Sequence, residues 1–161
     1  EEKILINLKF FQNIINLPLK DVKHINFRKM KDPNNPCLFC NINESGCAHK
    51  NDLAYASYDS YPVSKHHCLI IPKRHIKDYF ELSKDELIAC DELVKIVKEE
   101  ILFKDQTVNG FNLGTNIGKV SGQSILHCHF HLIPRRKGDV ENPQGGIRSV
   151  IPNKQHYKRD K

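Results

Sequence analysis

From Leu126 to Leu132 the chain reads Leu-His-Cys-His-Phe-His-Leu, an unbroken alternation of imidazole with apolar side chains. Successive side chains of a strand point to opposite faces, so this run predicts a strand within Ser124–Pro134. His127, His129 and His131 would share one face, and Cys128, Phe130 and Leu132 the other. A lone histidine is usually a satisfied structural residue. Three in register have no packing rationale and would repel one another if charged. At a reference pKa of about 6.5, a neutral imidazole is both nucleophile and leaving group at neutral pH. A metal site using two of the three is the rival reading. Such hydrolytic sites usually recruit a carboxylate, and the next acidic residue, Asp139, lies beyond the strand.

Immediately upstream, Gly118-Lys119-Val120-Ser121-Gly122-Gln123-Ser124 is a loop of small residues with a hydroxyl and an amide. Close backbone approach at glycine and free N–H groups suit such a loop to holding a phosphate. Cys37-x-x-Cys40 has the spacing of a zinc knuckle and needs two further ligands. Read locally, Cys47 and His49 would complete a compact site. The rival reading is a reduced, metal-free pair buried as small hydrophobes, and Cys68, Cys90 and Cys128 read as core residues. His66 reads as a surface residue facing away from His67.

These residues need elements to position them. Ile4, Leu8, Phe11, Ile14 and Ile15, closed by Pro18, predict a helical extension over 1–31. The turn-rich Asp32-Pro33-Asn34-Asn35-Pro36 marks the start of a catalytic domain over 32–136. Leu53–Tyr58 and His67–Ile71 predict two strands joined by the turn at Ser60-Tyr61-Pro62. Ser83 and Glu86 form a capping box, followed by apolar residues at helical spacing through Phe103. Asn109-Gly110 turns the chain into a strand at Phe111–Asn116. After Arg136 the composition shifts to Gly, Pro, Asn and basic residues, which predicts an extension over 137–161 packed on the domain. Within it Gly145-Gly146 and Ile147–Ile151 suggest a turn and a short strand, with Arg148 offering a planar fork to phosphate oxygens and Lys158 to Lys161 a solvated basic end. The fold class is α+β.

A length of 161 residues with 39% hydrophobic and 27% charged side chains describes one globular domain with extensions. Ile4 to Leu19 is interrupted by polar residues and is no membrane span. It also lacks the marks of a signal peptide, and six cysteines without secretory features fit a cytoplasmic chain rather than a disulfide framework. The net charge of +6 favours an anionic partner. No aromatic cluster accompanies the basic residues, which disfavours nucleic acid.

Taken together, the chain resembles the histidine-triad (HIT) nucleotide-binding hydrolases and transferases. His127 to Ile133 match that family's His-φ-His-φ-His-φ-φ pattern, Gly122 to Ser124 its Gly-Gln-Ser, and His67 to His75 its His-x-Leu-Ile-Ile-Pro-Lys-x-His. The resemblance runs from about Cys37 to Arg135. It implies an antiparallel sheet meander with one long helix, commonly a two-fold homodimer, and cleavage of a phosphoanhydride or phosphoramidate at the α-phosphorus. His129 resembles the nucleophile that forms a nucleotidyl-histidine intermediate, and His131 the group that protonates the leaving group. Asn116, Gln123 and Ser124 resemble phosphate contacts, Asp59 a ribose contact and His67 a support for the triad. Zinc-containing members combine the cysteine pair with two histidines that here are His75 and His127, a second completion of the Cys37/Cys40 site and the preferred one. Retention of His131 favours hydrolysis over transfer to a sugar phosphate. The tail resembles that of bacterial-type diadenosine-polyphosphate hydrolases, so the implied partner is a purine nucleotide or dinucleoside polyphosphate. The alternative is a zinc-stabilised nucleotide- or nucleic-acid-binding module without turnover.

Overall fold

The computed structural model describes residues 36–42 and 46–157. The extension expected over 1–31 and the basic end at 158–161 lie outside these residues. Five strands, β1 (His49–Lys50), β2 (Ala54–Tyr58), β3 (Cys68–Pro72), β4 (Val108–Gly114) and β5 (Phe130–Arg136), and one long helix, α1 (Lys84–Lys104), make an α+β fold. All strand pairs are antiparallel, in the order β1-β2-β3-β5-β4. The meander therefore holds for the first three strands. After α1, β5 enters between β3 and β4 and puts the histidine segment inside the sheet rather than at its edge.

The helix forms where its cap and periodicity predict. The Ser83 hydroxyl accepts from the Glu86 N–H at 3.2 Å, and the Ser83 N–H donates to the Glu86 carboxylate at 2.8 Å. Both bonds satisfy donors that a helix N-terminus otherwise leaves open. Ala89, Cys90, Leu93, Val97 and Ile101 then bury one stripe against Ala54, Ala56, Cys68, Ile70 and Leu132. The alanines of β2 are small enough for α1 to approach closely. Tyr55, Leu69 and Ile71 alternate onto the opposite face and pack with Phe39 and Ile42. Because both faces are covered, β3 is buried along its whole length, and its five residues read as a continuous apolar run.

Beyond β5 the chain stays ordered through Tyr157. Gly146–Val150 is a 3₁₀ helix rather than the expected strand. Gly145 enters it in a left-handed conformation (φ +71°), and a Cβ there would lie 2.0 Å from the Gln155 carbonyl oxygen, so only glycine fits. Arg148 donates through Nε to the Lys154 carbonyl at 3.1 Å and lies 5.0 Å over the Tyr157 ring. Its guanidinium thus helps hold the extension together, while the residue itself stays exposed. The segment meets the sheet where Gly146 approaches Asn112 of β4.

Arg74 grips the same Glu86 that caps α1, with Nε and a terminal nitrogen each 2.7 Å from a carboxylate oxygen. That pairing, opposed by burial and aided by Ser83, holds the Glu86 carboxyl down at about 2. A depressed acid stabilises the fold above its ordinary pKa and loses that contribution as pH falls through the folded value. Wild-type stability from urea unfolding should therefore decline from about pH 4.5 towards pH 2. Glu86→Gln should flatten that decline, and Ser83→Ala should cost about 1 kcal/mol at neutral pH.

Candidate active site

The strand that carries the histidines begins at Phe130, later than the alternation predicts. Residues 124–129 follow their own path because non-local bonds capture them. The Cys128 N–H donates to the Ile76 carbonyl at 2.7 Å, and the His127 N–H turns back to the Ile125 carbonyl at 2.8 Å. Gln123 clamps the preceding loop: its Oε1 accepts from the Gly118 N–H at 2.8 Å, and its Nε2 donates to the carbonyls of Lys77 (2.6 Å) and Ile125 (3.2 Å). The N–H groups of Gly118, Ser121, Gly122 and Gln123 are all bonded within this loop. The expected phosphate cradle of free N–H groups is therefore largely closed on itself, with Gly122 at φ +86° making the turn into Gln123.

Because of this path the three imidazoles serve two constellations. His127 is fully buried and donates through Nε2 to the Pro72 carbonyl at 2.8 Å, which leaves Nδ1 with a lone pair. That atom lies 3.4 Å from the Cys37 sulfur and 3.5 Å from the Cys40 sulfur, while His75 Nδ1 is 3.2 Å from Cys40 Sγ. Donor atoms of Cys37, Cys40, His75 and His127 all lie within 4.8 Å of one another. Two thiols and two imidazoles at that separation suit tetrahedral zinc, and the Pro72 carbonyl fixes the ligating tautomer of His127 as outer-shell groups do. The local completion is not what assembles: His49 pairs with Glu100 on α1, and Cys47 packs beside the Phe39 cluster.

His129 and His131 face the second constellation. Phe39, 4% exposed, presents its ring edge to both neighbours, 5.9 Å from the His127 centroid and 5.0 Å from that of His129. Tyr55 anchors it by donating to the Phe39 carbonyl at 2.7 Å. His129 Nδ1 donates to the His127 carbonyl at 2.7 Å. The proton is thereby committed to Nδ1, and Nε2 carries the lone pair. Burial lowers the His129 pKa below the usual histidine value, against the opposing pull of this carbonyl. The His131 ring stands 5.1 Å from that of His129, and burial, with His129 and His67 beside it, lowers its pKa to about 4. Both rings are neutral at physiological pH.

Behind His131 the structure builds a chain of polar groups. His131 Nδ1 lies 3.0 Å from His67 Nε2, the two rings stacked with centroids 5.1 Å apart. His67, 3% exposed, turns Nδ1 towards Asp59 Oδ2 at 3.4 Å and the Val63 N–H at 3.4 Å. Burial lowers the His67 pKa, and Asp59 partly opposes this. The second Asp59 oxygen accepts from the Tyr61 N–H at 2.8 Å. Asn116 is half-buried just beyond β4, whose Gly114 pairs with His131. Ser124 is exposed and lines a shallow depression with Cys37, His75 and Leu126, beside the cysteine pair.

Phe39, Arg74 and Val63 escape a reading by spacing, since each works through a partner distant in sequence. His66, read as a surface residue, is half-buried at φ +69°, with Nε2 3.8 Å from Asp105. Cys68, Cys90 and Cys128 are buried in the core as expected.

A family model described as the HIT domain matches residues 43–138. A HIT-like protein of Methanocaldococcus jannaschii is 34% identical over 109 residues, covering 65% of this chain and 83% of that protein. Adenylylsulfatase HINT3 of Arabidopsis thaliana is 36% identical over 109 residues, 65% of this chain and 55% of its own. Among solved structures, a histidine triad nucleotide-binding protein of Sulfolobus tokodaii superposes with a TM-score of 0.58 at 37% identity, covering 63% of this chain and 70% of that one.

The arrangement around His129 makes a spectroscopic prediction. Long-range nitrogen–proton correlation spectra should find His129 as the Nδ1–H tautomer at pH 7, with Nε2 in the chemical-shift range of an unprotonated imidazole nitrogen. His129→Ala identifies the resonance. An Nε2–H tautomer would mean that the bond to the His127 carbonyl does not govern the ring.

Proposed function

Since this chain belongs to the HIT domain family, we propose that it is a nucleotide hydrolase acting at the α-phosphorus through a nucleotidyl-histidine intermediate. The observation that carries the reading is the His129 ring, its Nδ1–H fixed on the His127 carbonyl and its Nε2 lone pair free to attack. In the first step Nε2 forms a P–N bond as the bond to the leaving group breaks. In the second, water forms a P–O bond and passes a proton to Nε2 of His131, which the first step left unprotonated, the P–N bond breaks, and the electron pair returns to Nε2 of His129.

His131 supplies the proton that the departing group needs. The Val63 N–H pointing at His67 Nδ1 supports a neutral His67 protonated at Nε2. That proton donates to His131 Nδ1 and leaves His131 with its own proton on Nε2, directed outward. When His131 gives up that proton, the one on His67 Nε2 moves to His131 Nδ1 and a proton from solvent enters at His67 Nδ1 beside the Asp59 carboxylate; the proton that His131 takes from water in the second step reverses the relay. Such positioned proton transfer is worth typically 10²–10⁴-fold.

The substrates that fit are adenosine phosphoramidates and diadenosine polyphosphates, in which a nitrogen or phosphate leaving group needs that proton. The name of the Arabidopsis relative points to the same kind of adenylyl bond with sulfate departing. Asn116, Ser124 and one Asp59 oxygen are the groups proposed to meet phosphate and ribose, with Gln123 holding the loop that presents Ser124. Among the described residues no helix is long and apolar enough to cross a membrane, and no disulfide joins the six cysteines, in keeping with a reducing cytoplasm. The half-exposed Leu87 and Ile88 and the exposed Phe103 on α1, with the open edge of β4, offer the surface for a homodimer.

Zinc at Cys37, Cys40, His75 and His127 has a structural role in this scheme. Bound there, it would tie the segment before β1 to the end of β3 and to the backbone that orients His129. All four positions carry protein donors and none is left for substrate, as in structural zinc sites.

His129→Ala should lower turnover of a fluorogenic adenosine phosphoramidate by about 10³-fold or more while AMP binding, read by calorimetry, stays within about threefold. Activity within a few-fold of wild type would remove His129 from the nucleophilic role. Elemental analysis of the purified protein should find about one zinc per chain. Cys37→Ser should lose it together with thermal stability, because a structural metal contributes folding energy directly. Zinc retained in His75→Ala but lost in Cys47→Ser would assign the site to the local completion instead.

A further inference from the structure

The sequence argues against a metal at the histidine strand because no carboxylate stands near it. The fold supplies one: Asp59, at the turn leaving β2, comes to lie beside His67 and His131. Each of the three can offer a donor atom such that all lie within 4.8 Å of one another. Zinc with ligands at about 2.0–2.1 Å in tetrahedral geometry separates two donors by roughly 3.3 Å. The His67 Nε2 to His131 Nδ1 distance is 3.0 Å, and the carboxylate lies 3.4 Å from His67 at its other nitrogen, so the half-buried Asp59 would have to turn to join them.

We propose that Asp59, His67 and His131 form a second, exchangeable site for a zinc-class ion, and that its occupation and nucleotide turnover exclude one another. Two imidazoles and one carboxylate are the donor set of a zinc or cobalt site with an open position, whereas magnesium and calcium require mostly oxygen. His67, buried between its two partners, fixes one ligand in place, and Asp59 exchanges its bond from the Tyr61 N–H (2.8 Å) for the ion. His131 and Asp59, both half-buried, leave the remaining positions of the ion towards the cleft. It shares no residue with the cysteine-containing set, so both can be filled at once. The exclusion rests on the hydrolytic reading above. An ion taking His131 Nδ1 displaces the proton shared with His67, and an ion taking Asp59 removes the group proposed to meet ribose. Free zinc would therefore act as an inhibitor competing with substrate.

The test is a titration of the full chain, with its cysteine site filled with zinc, against Co²⁺. One further equivalent should bind and give d–d absorption without the thiolate-to-cobalt charge transfer that exchange into the cysteine site produces. Asp59→Asn and His67→Gln should each weaken uptake by at least about tenfold, and saturating AMP should remove the spectrum. No uptake, a thiolate charge-transfer band, or undiminished uptake in Asp59→Asn would overturn the site. Uptake indifferent to AMP would overturn the exclusion. None of these readings requires turnover, so each is separable from a failure of the hydrolytic reading, which the His129→Ala assay reports.

Discussion

The hydrogen bond from His129 Nδ1 to the His127 carbonyl decides what the site can do, and it exists only because residues 127–129 do not continue β5. In a regular central strand that carbonyl would face a ladder partner. Here the His127 ring is tied to the Pro72 carbonyl and the Cys128 N–H to the Ile76 carbonyl. The backbone at His127 is thus fixed from both sides, and its oxygen is turned towards the imidazole two residues on. A nucleophile with a committed tautomer needs no reorganisation when substrate arrives.

The same anchoring explains why three identical side chains have three tasks. His127 is drawn to the cysteine pair, His129 is held by backbone beneath Phe39, and His131 is backed by His67 and Asp59. Burial keeps all three neutral, which removes the mutual repulsion that makes such a cluster costly in water. Each ring is then differentiated by what its second nitrogen touches. Backbone carbonyl, backbone carbonyl and imidazole are the three partners, and they determine where each proton resides.

Much of this was legible in the residues. The capping box at Ser83 and Glu86, the α1 stripe and the β2–β3 hairpin follow from local rules that the tertiary structure does not override. The histidine alternation marks the place where the imidazoles gather with the cysteine pair and Asp59, yet it places the start of β5 too early. The bonds that pull 124–129 away come from Lys77 and Ile76, about fifty residues back in the chain, and no window of sequence contains them. Asp59 enters the sequence reading only through resemblance, since its proximity to His131 is a product of β3 pairing with both β2 and β5. The segment after Gly145 reads as β-prone, but the bond of Arg148 to the Lys154 carbonyl and the close passage of the Gln155 carbonyl at Gly145 hold it as a 3₁₀ turn. Phe39 carries no chemical signal of its own, and only the packed structure sets it between two imidazoles.

The central claim is that His129 takes the nucleotidyl group before water does, and the stereochemistry at phosphorus tests it without relying on a variant. Hydrolysis of a P-chiral adenosine phosphorothioamidate in oxygen-18 water gives an isotopically chiral thiophosphate product whose configuration can be assigned. Two in-line displacements, first by Nε2 of His129 and then by water, predict net retention. Net inversion would mean a single displacement by water, with the histidines acting only as acid and base, and would contradict the account.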